Sequence, residues 1–278
     1  MRLGFVSLAL LAGCSLVTDL ADLGGANDAA VDAAEAAADV AEIDANDAGP
    51  SDCPPGAFFC DDFESEQSVT PKWDVESFTA PNAIGISTDH AHSGTHSLHI
   101  AVNDDGGTNP SAFLTLTKAL GTTFAAGSTF AMRAFVYAPV AQSAESWFTL
   151  SRQSSGGNIT FTNHVDPAHC ASATEPCLLA YRANDGNWEI ASSVNFNDTL
   201  SQWVCVEWVM SIGDAGAVAA YLATSPYTTS APLFSTTEND VLTGGAFDSL
   251  SVGYEYADGP QEMYVDDVVV APSRVGCL

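Results

Sequence analysis

Carboxylates, histidines and cysteines are the side chains of this chain that could do chemistry, and their spacing narrows what chemistry that is. Asp62, Glu64 and Glu66 alternate, so a strand would set all three on one face. Retaining glycoside hydrolysis needs two carboxyl groups about 5–5.5 Å apart across the scissile bond. Glu207 has no second acid within four residues and shares a face with Trp203 and Cys205, which suits a hydrogen-bonded interior glutamate equally well. Elimination chemistry on a uronate needs a tyrosine or histidine base beside Arg, Asn or Gln. The candidates are Arg133, Asn163, His164, Tyr254 and Tyr256. His90, His92, His96 and His99 fall within ten residues, beside Asp89. Alternation sends His96 and His99 to opposite faces, so only a pair such as His90 and His92 remains as a metal candidate. No G-x-S-x-G elbow and no phosphate-cradling glycine loop is present.

The bulk charge excludes whole classes of partner. Seven Lys and Arg stand against 35 Asp and Glu, a formal charge of −28. Nucleic acid and anionic lipid headgroups, which need clustered cations, are repelled. Neutral sugars, cationic partners and divalent cations are compatible with it.

Residues 11–14 read L-A-G-C, after Met1-Arg2 and an apolar stretch from Leu3 to Leu11 that is far shorter than the roughly 20 residues of a membrane-spanning helix. The string resembles the lipobox of bacterial lipoproteins. That resemblance implies a signal peptide over residues 1–13 and acylation of Cys14. It also implies a chain held in the cell envelope by its lipid, with Ser15 after the cysteine matching outer-membrane sorting. Two lipid-linked groups give durable membrane attachment. Residues 15–52 contain ten acidic and no basic residues, and no aromatic to seed a core. They are expected to form a disordered acidic tether rich in Ala and Asp, about 30–35 Å long on average.

Six further cysteines remain in what would be an oxidising compartment. Cys53–Cys60 and Cys170–Cys177 have equal spacing and read as local staples, which leaves Cys205–Cys277 to tie a late strand to the C-terminus. A zinc site is the alternative, but no C-x-x-C pair supports it.

From residue 53 to 278 aromatics appear and short alternating segments recur between Gly, Asn, Asp and Pro clusters. Residues 98–102, 130–137, 147–152, 188–194, 202–212, 217–223, 250–256 and 262–270 read as strands, with a hairpin turn at 213–216. No helical period is convincing. This length and texture predict one all-β sandwich or barrel domain.

Three stretches carry a resemblance: Asp62-Phe63-Glu64 with Trp73, the segment 93–100 reading S-G-T-H-S-L-H-I, and 264–268 reading Y-V-D-D-V. Together they resemble extracellular jelly-roll β-sandwiches, either concanavalin A-like lectin, glucanase and lyase domains or the smaller galactose-binding-like modules; the length favours the former. The resemblance implies that first and last strands are neighbours, bringing Asp62-Phe63-Glu64 towards Asp266-Asp267. A structural calcium site is expected there, with Glu64, Asp266 and Asp267 as side-chain ligands and carbonyls near Ser93 and Gly94 completing it. Asp267 is expected to share a face with Met263, Val265 and Val269. The hydrolases of this fold carry E-x-D-x-E, and the lyases carry R-x-E-L-R and Q-I-H; none of these strings occurs here. The expected role is therefore non-catalytic, a β-sandwich displayed for glycan or partner binding. A lyase or hydrolase of the same fold and an inert surface spacer are the alternatives. Trp188, Tyr254, Tyr256 and Arg133 are the candidate sugar contacts. Trp203 and Trp208 fall on opposite faces, with Trp208 assigned to the core.

Overall fold

The computed structural model describes residues 53–65, 68–69, 72–76, 83–102, 114–124, 127–141, 148–151, 158–164, 177–182, 187–191, 196–211, 217–227, 232, 234–236, 247–254 and 260–277. The signal peptide, Cys14, the tether, Cys170, the 213–216 turn and Tyr256 lie outside the described residues.

Two antiparallel sheets form the domain. One runs in the order β13 (Phe234–Thr236), β12 (Ala217–Thr224), β11 (Trp203–Ser211), β6 (Thr129–Tyr137), β15 (Gln261–Ala271), β4 (Ser97–Val102), β3 (Ala83–Ser87), with β1 (Phe59–Asp61) beside the far half of β15. The other runs β10 (Asn187–Ala191), β9 (Cys177–Arg182), β8 (Asn158–His164), β7 (Phe148–Ser151), β14 (Phe247–Tyr254), β5 (Leu114–Phe124), β2 (Asp74–Glu76). The all-β expectation holds, and the first and last strands do pair, Phe59 opposite Val270 and Asp61 opposite Val268.

Alternation explains the layers. Leu98, Ile100 and Val102 of β4, Met132, Ala134 and Val136 of β6, and Val204, Val206, Trp208 and Met210 of β11 all point into one core. Leu250, Val252 and Tyr254 of β14 meet them from the opposite sheet. Each fully buried large side chain contributes about 1.5–3 kcal/mol. Trp208 lies in this core, as its parity required.

One interruption corrects the sequence reading. Between β15 and β6 the register steps from Asp266 opposite Phe135 to Val269 opposite Arg133, so β15 carries one residue too many. Asp267 sits in that bulge with φ of 50°. The extra residue shifts the phase of the strand. Core positions run Met263, Val265, then Val268 and Val270. Asp267 therefore does not share the face of Met263 and Val265.

Candidate functional site

The face of the eight-stranded sheet that looks away from the core holds the aromatic residues that burial does not use up. Val136, Val204, Val265 and Leu98 face inward, so their neighbours Tyr137, Trp203, Tyr264 and His99 face outward. Strand register then sets those four in a single row. Trp203 is opposite Tyr137, Tyr137 opposite Tyr264, Tyr264 opposite His99, and His99 opposite Gly85. Four strands at about 4.8 Å spacing make this a ladder of rings roughly 14 Å long, perpendicular to the strands.

The rings contact along the row: Tyr137 and Trp203 at 5.6 Å, Tyr137 and Tyr264 at 6.1 Å, and Tyr264 and His99 at 4.6 Å, the last pair stacked. His90 lies over them, stacked on Tyr137 at 4.3 Å and edge-on to Tyr264 at 4.7 Å. Tyr264 is closed over by its neighbours, while Trp203, Tyr137, His90 and His99 stay half-buried. At the end of the row, Gly85 leaves open space where a side chain would stand.

Carboxylates edge the ladder. Glu262 lies 2.9 Å from His99 Nε2 and accepts the Tyr264 hydroxyl at 3.0 Å. Burial, that hydrogen bond and the nearby charges of Glu262 and Asp89 push the Tyr264 hydroxyl well above its ordinary value. Its proton is held more tightly, the reverse of what an elimination base requires.

The segment from His90 to His96 is fastened at both ends by acids. Asp266, fully buried, accepts from the amides of His92 at 2.8 Å, Ser93 at 3.2 Å and Asp267 at 2.8 Å. Burial, and then the charge of Asp267, push its carboxyl up to about 8. Asp267 lies 2.7 Å from His92 Nδ1 and accepts the Ser93 hydroxyl at 2.9 Å. Glu64 accepts from the amides of Thr95 and His96 and from the Thr95 hydroxyl. Burial raises its carboxyl, but the His96 and Thr95 donors outweigh that and the net shift is down. The acids expected to gather around one calcium ion are thus spread along a loop. Among the described residues no three His, Cys, Asp or Glu side chains are arranged to hold a metal ion. The physical reason is that each carboxylate already accepts from separate amide and hydroxyl donors. His92, His96 and His99 likewise face three different acids, Asp267, Glu64 and Glu262, and do not meet.

Beside the ladder, the C-terminal segment covers Glu207, Cys205 and Arg133 of this outer face. Glu207, fully buried, accepts from Arg274 Nε at 2.8 Å and from the amides of Val275 at 2.6 Å and Gly276 at 2.9 Å. Cys205 is bonded to Cys277, with Cα atoms 5.7 Å apart. The Cys53–Cys60 bridge is also present, with Cα atoms 5.8 Å apart. Arg133 sits beneath this cover, its guanidinium 5.4 Å from the Phe135 ring and donating to the Gly276 carbonyl at 3.4 Å. A cavity of about 50 Å³ separates Arg133 from Asp61, Asp62, Asp267 and the Cys53–Cys60 bridge.

Of the candidate sugar contacts, Tyr254 is fully buried in the core, because it continues the inward parity of Leu250 and Val252. Arg133 is on the outer face but roofed by residues 274–277. Trp188 pairs with Tyr181 across β9 and β10, and its side chain lies outside the description. Sequence reasoning missed the ladder. The signal was present in part, since Tyr137, Trp203 and Tyr264 each follow or precede a core valine. What joins them is strand register, which the sequence does not carry.

No family model matches the chain, and no curated protein matches it in sequence. Among solved structures, the chain is similar to the cellulose-induced protein Cip1, with a TM-score of 0.55 and 17% identity, covering 79% of this chain and 100% of that one. It is also similar to an endo-β-1,4-glucuronan lyase from the fungus Trichoderma reesei, with a TM-score of 0.52 and 11% identity, covering 80% of this chain and 98% of that one. The fold they share with this chain is an all-β sandwich of two antiparallel sheets. At such identities the likeness extends to fold alone, and unrelated activities share it.

Proposed function

We propose that this chain is a cell-envelope lipoprotein, tethered through Cys14, whose β-sandwich binds glycan without turning it over. The observation that carries the reading is the in-register row of Trp203, Tyr137, Tyr264 and His99 with His90 laid over it. Trp203, Tyr137, His90 and His99, half-buried and rimmed by carboxylates, suit sugar, whose C–H faces stack on aromatics while its hydroxyls seek acceptors. The names of the two similar structures, one induced by cellulose and one a polysaccharide lyase, point the same way. Of the residues that could serve a lyase, Tyr254 is buried in the core and Arg133 is covered. The lipobox string supplies the location.

The test is a panel of polysaccharides incubated with the lipid-free protein. Retention on at least one, with no new reducing ends or unsaturated products, is the expected result. Turnover would establish an enzyme, and neither retention nor turnover would establish a spacer.

A structural calcium ion at Asp266 and Asp267 belongs to this proposal as a stabiliser of the loop that carries His90. A cation there would offset the buried charge of the Asp266–Asp267 pair, and it would take the place of amide and hydroxyl donors that these carboxylates now accept from.

A further inference from the structure

Resting on the glycan-binding reading, we infer that the ladder takes a neutral oligosaccharide lying across the strands, from Trp203 towards Gly85, and rejects uronate-containing glycans. The geometry supplies the direction. The half-buried rings Trp203, Tyr137 and His99 follow one another along the register row, with Tyr264 closed over between the last two, and not along any strand, so a linear ligand that contacts more than one of them must cross the strands. The row is about 14 Å long, more than a single sugar ring can cover. At its far end Gly85 has nothing within 4 Å of where a Cβ would stand, which leaves the row open over β3.

Charge supplies the class. The carboxylates beside the rings are Glu262 and Asp89, the latter exposed. They can accept hydrogen bonds from sugar hydroxyls, but each repels a sugar carboxylate. Recognition of a uronate calls for a cation at the site, and the cations among the described side chains are engaged elsewhere. Lys72 is paired with Asp61 at 2.8 Å. Arg274 is paired with Glu207 and lies 3.6 Å over the Tyr221 ring. Arg133 is under the C-terminal cover, donating to Gly276. The net charge of −28 adds a long-range field of the same sign.

Affinity gel electrophoresis or calorimetry on the whole lipid-free chain tests this, using a neutral β-glucan, a neutral mannan, polygalacturonate and alginate, each at low and at about 0.5 M salt. Retention by a neutral polymer, unchanged by salt and absent for the matching monosaccharide, is expected. The Tyr137→Ala/Trp203→Ala double variant should weaken it by about tenfold or more, with circular dichroism unchanged. Trp203→Phe, which keeps a ring, should retain most of it. The Asp89→Asn/Glu262→Gln variant should narrow the preference for neutral over acidic polymers at low salt. Tighter binding of polygalacturonate or alginate than of either neutral polymer would overturn the inference while leaving glycan binding intact. Binding of no polymer would overturn both, and neutral-polymer binding that survives the double alanine variant would overturn the assignment to this row.

Discussion

The outer face of one sheet is treated in two ways by the same strands. On β6 and β11, Arg133, Cys205 and Glu207 lie under residues 274–277, while Tyr137 and Trp203, at the far end of the same strands, meet the rings of His90 and His92, stacked on Tyr137 and edge-on to Trp203. The covered half is closed with a disulfide, an ion pair and two amide donors on one buried glutamate. The other half, left uncovered by the C-terminus, is a row of rings with His90 laid over part of it. A chain that spends its C-terminus sealing one half and leaves four half-buried rings on the other has separated stability from display.

That contrast orders the expected effects of substitution. Replacing Cys205 and Cys277 by serine should lower stability most, by about 4–5 kcal/mol at the upper end, since the bridge spans 72 residues. Chemical denaturation checks it. Glu207→Ala should cost about 3–5 kcal/mol, because Arg274 and two amides lose their acceptor inside a closed site. Gly94→Ala should cost about 1–3 kcal/mol, for its φ is 59° and a Cβ would stand 2.5 Å from Glu64 Cδ. It would loosen the loop carrying His90 and His92. Trp203→Ala, which removes a half-buried ring packed against Phe135 and His92, should cost about 1–2 kcal/mol in stability yet remove most glycan retention. If it destabilises as strongly as Glu207→Ala, the two halves are not different in kind.

The sequence made much of the fold legible and little of the ladder. Alternation at Leu98, Ile100 and Val102 was readable from residue types, the Cys205–Cys277 bridge from what two local staples left over, and the pairing of β1 with β15 only through the jelly-roll resemblance. Asp267 was misplaced because alternation assumes an unbroken strand, and a bulge leaves no mark in a run such as 264–270. Tyr254 was misassigned because an aromatic suits core and platform alike, and only its parity with Val252 decides. The row of rings depends on the offsets of four strands distant in sequence, which no local pattern encodes.

A smaller effect sharpens the calcium proposal. In metal-free protein the Asp266 carboxyl is raised by burial and by Asp267, so its contribution to stability is full below about pH 4 and is lost as pH rises towards 8. Asp266→Asn should flatten that decline. Calcium should raise the melting temperature more at pH 8, where the carboxyl ionises, than at pH 5. A calcium response equal at both values, or none, would leave the loop held by its amide donors alone.

The claim that the uncovered half is the binding surface is tested most directly by hydroxyl-radical footprinting of the full chain, with and without a retained polysaccharide. Protection of Trp203, Tyr137, His90 and His99, with residues 274–277 unchanged, is the result this account predicts. Protection confined to the seven-stranded sheet, with Trp203 and Tyr137 as reactive as in the free protein, would contradict it.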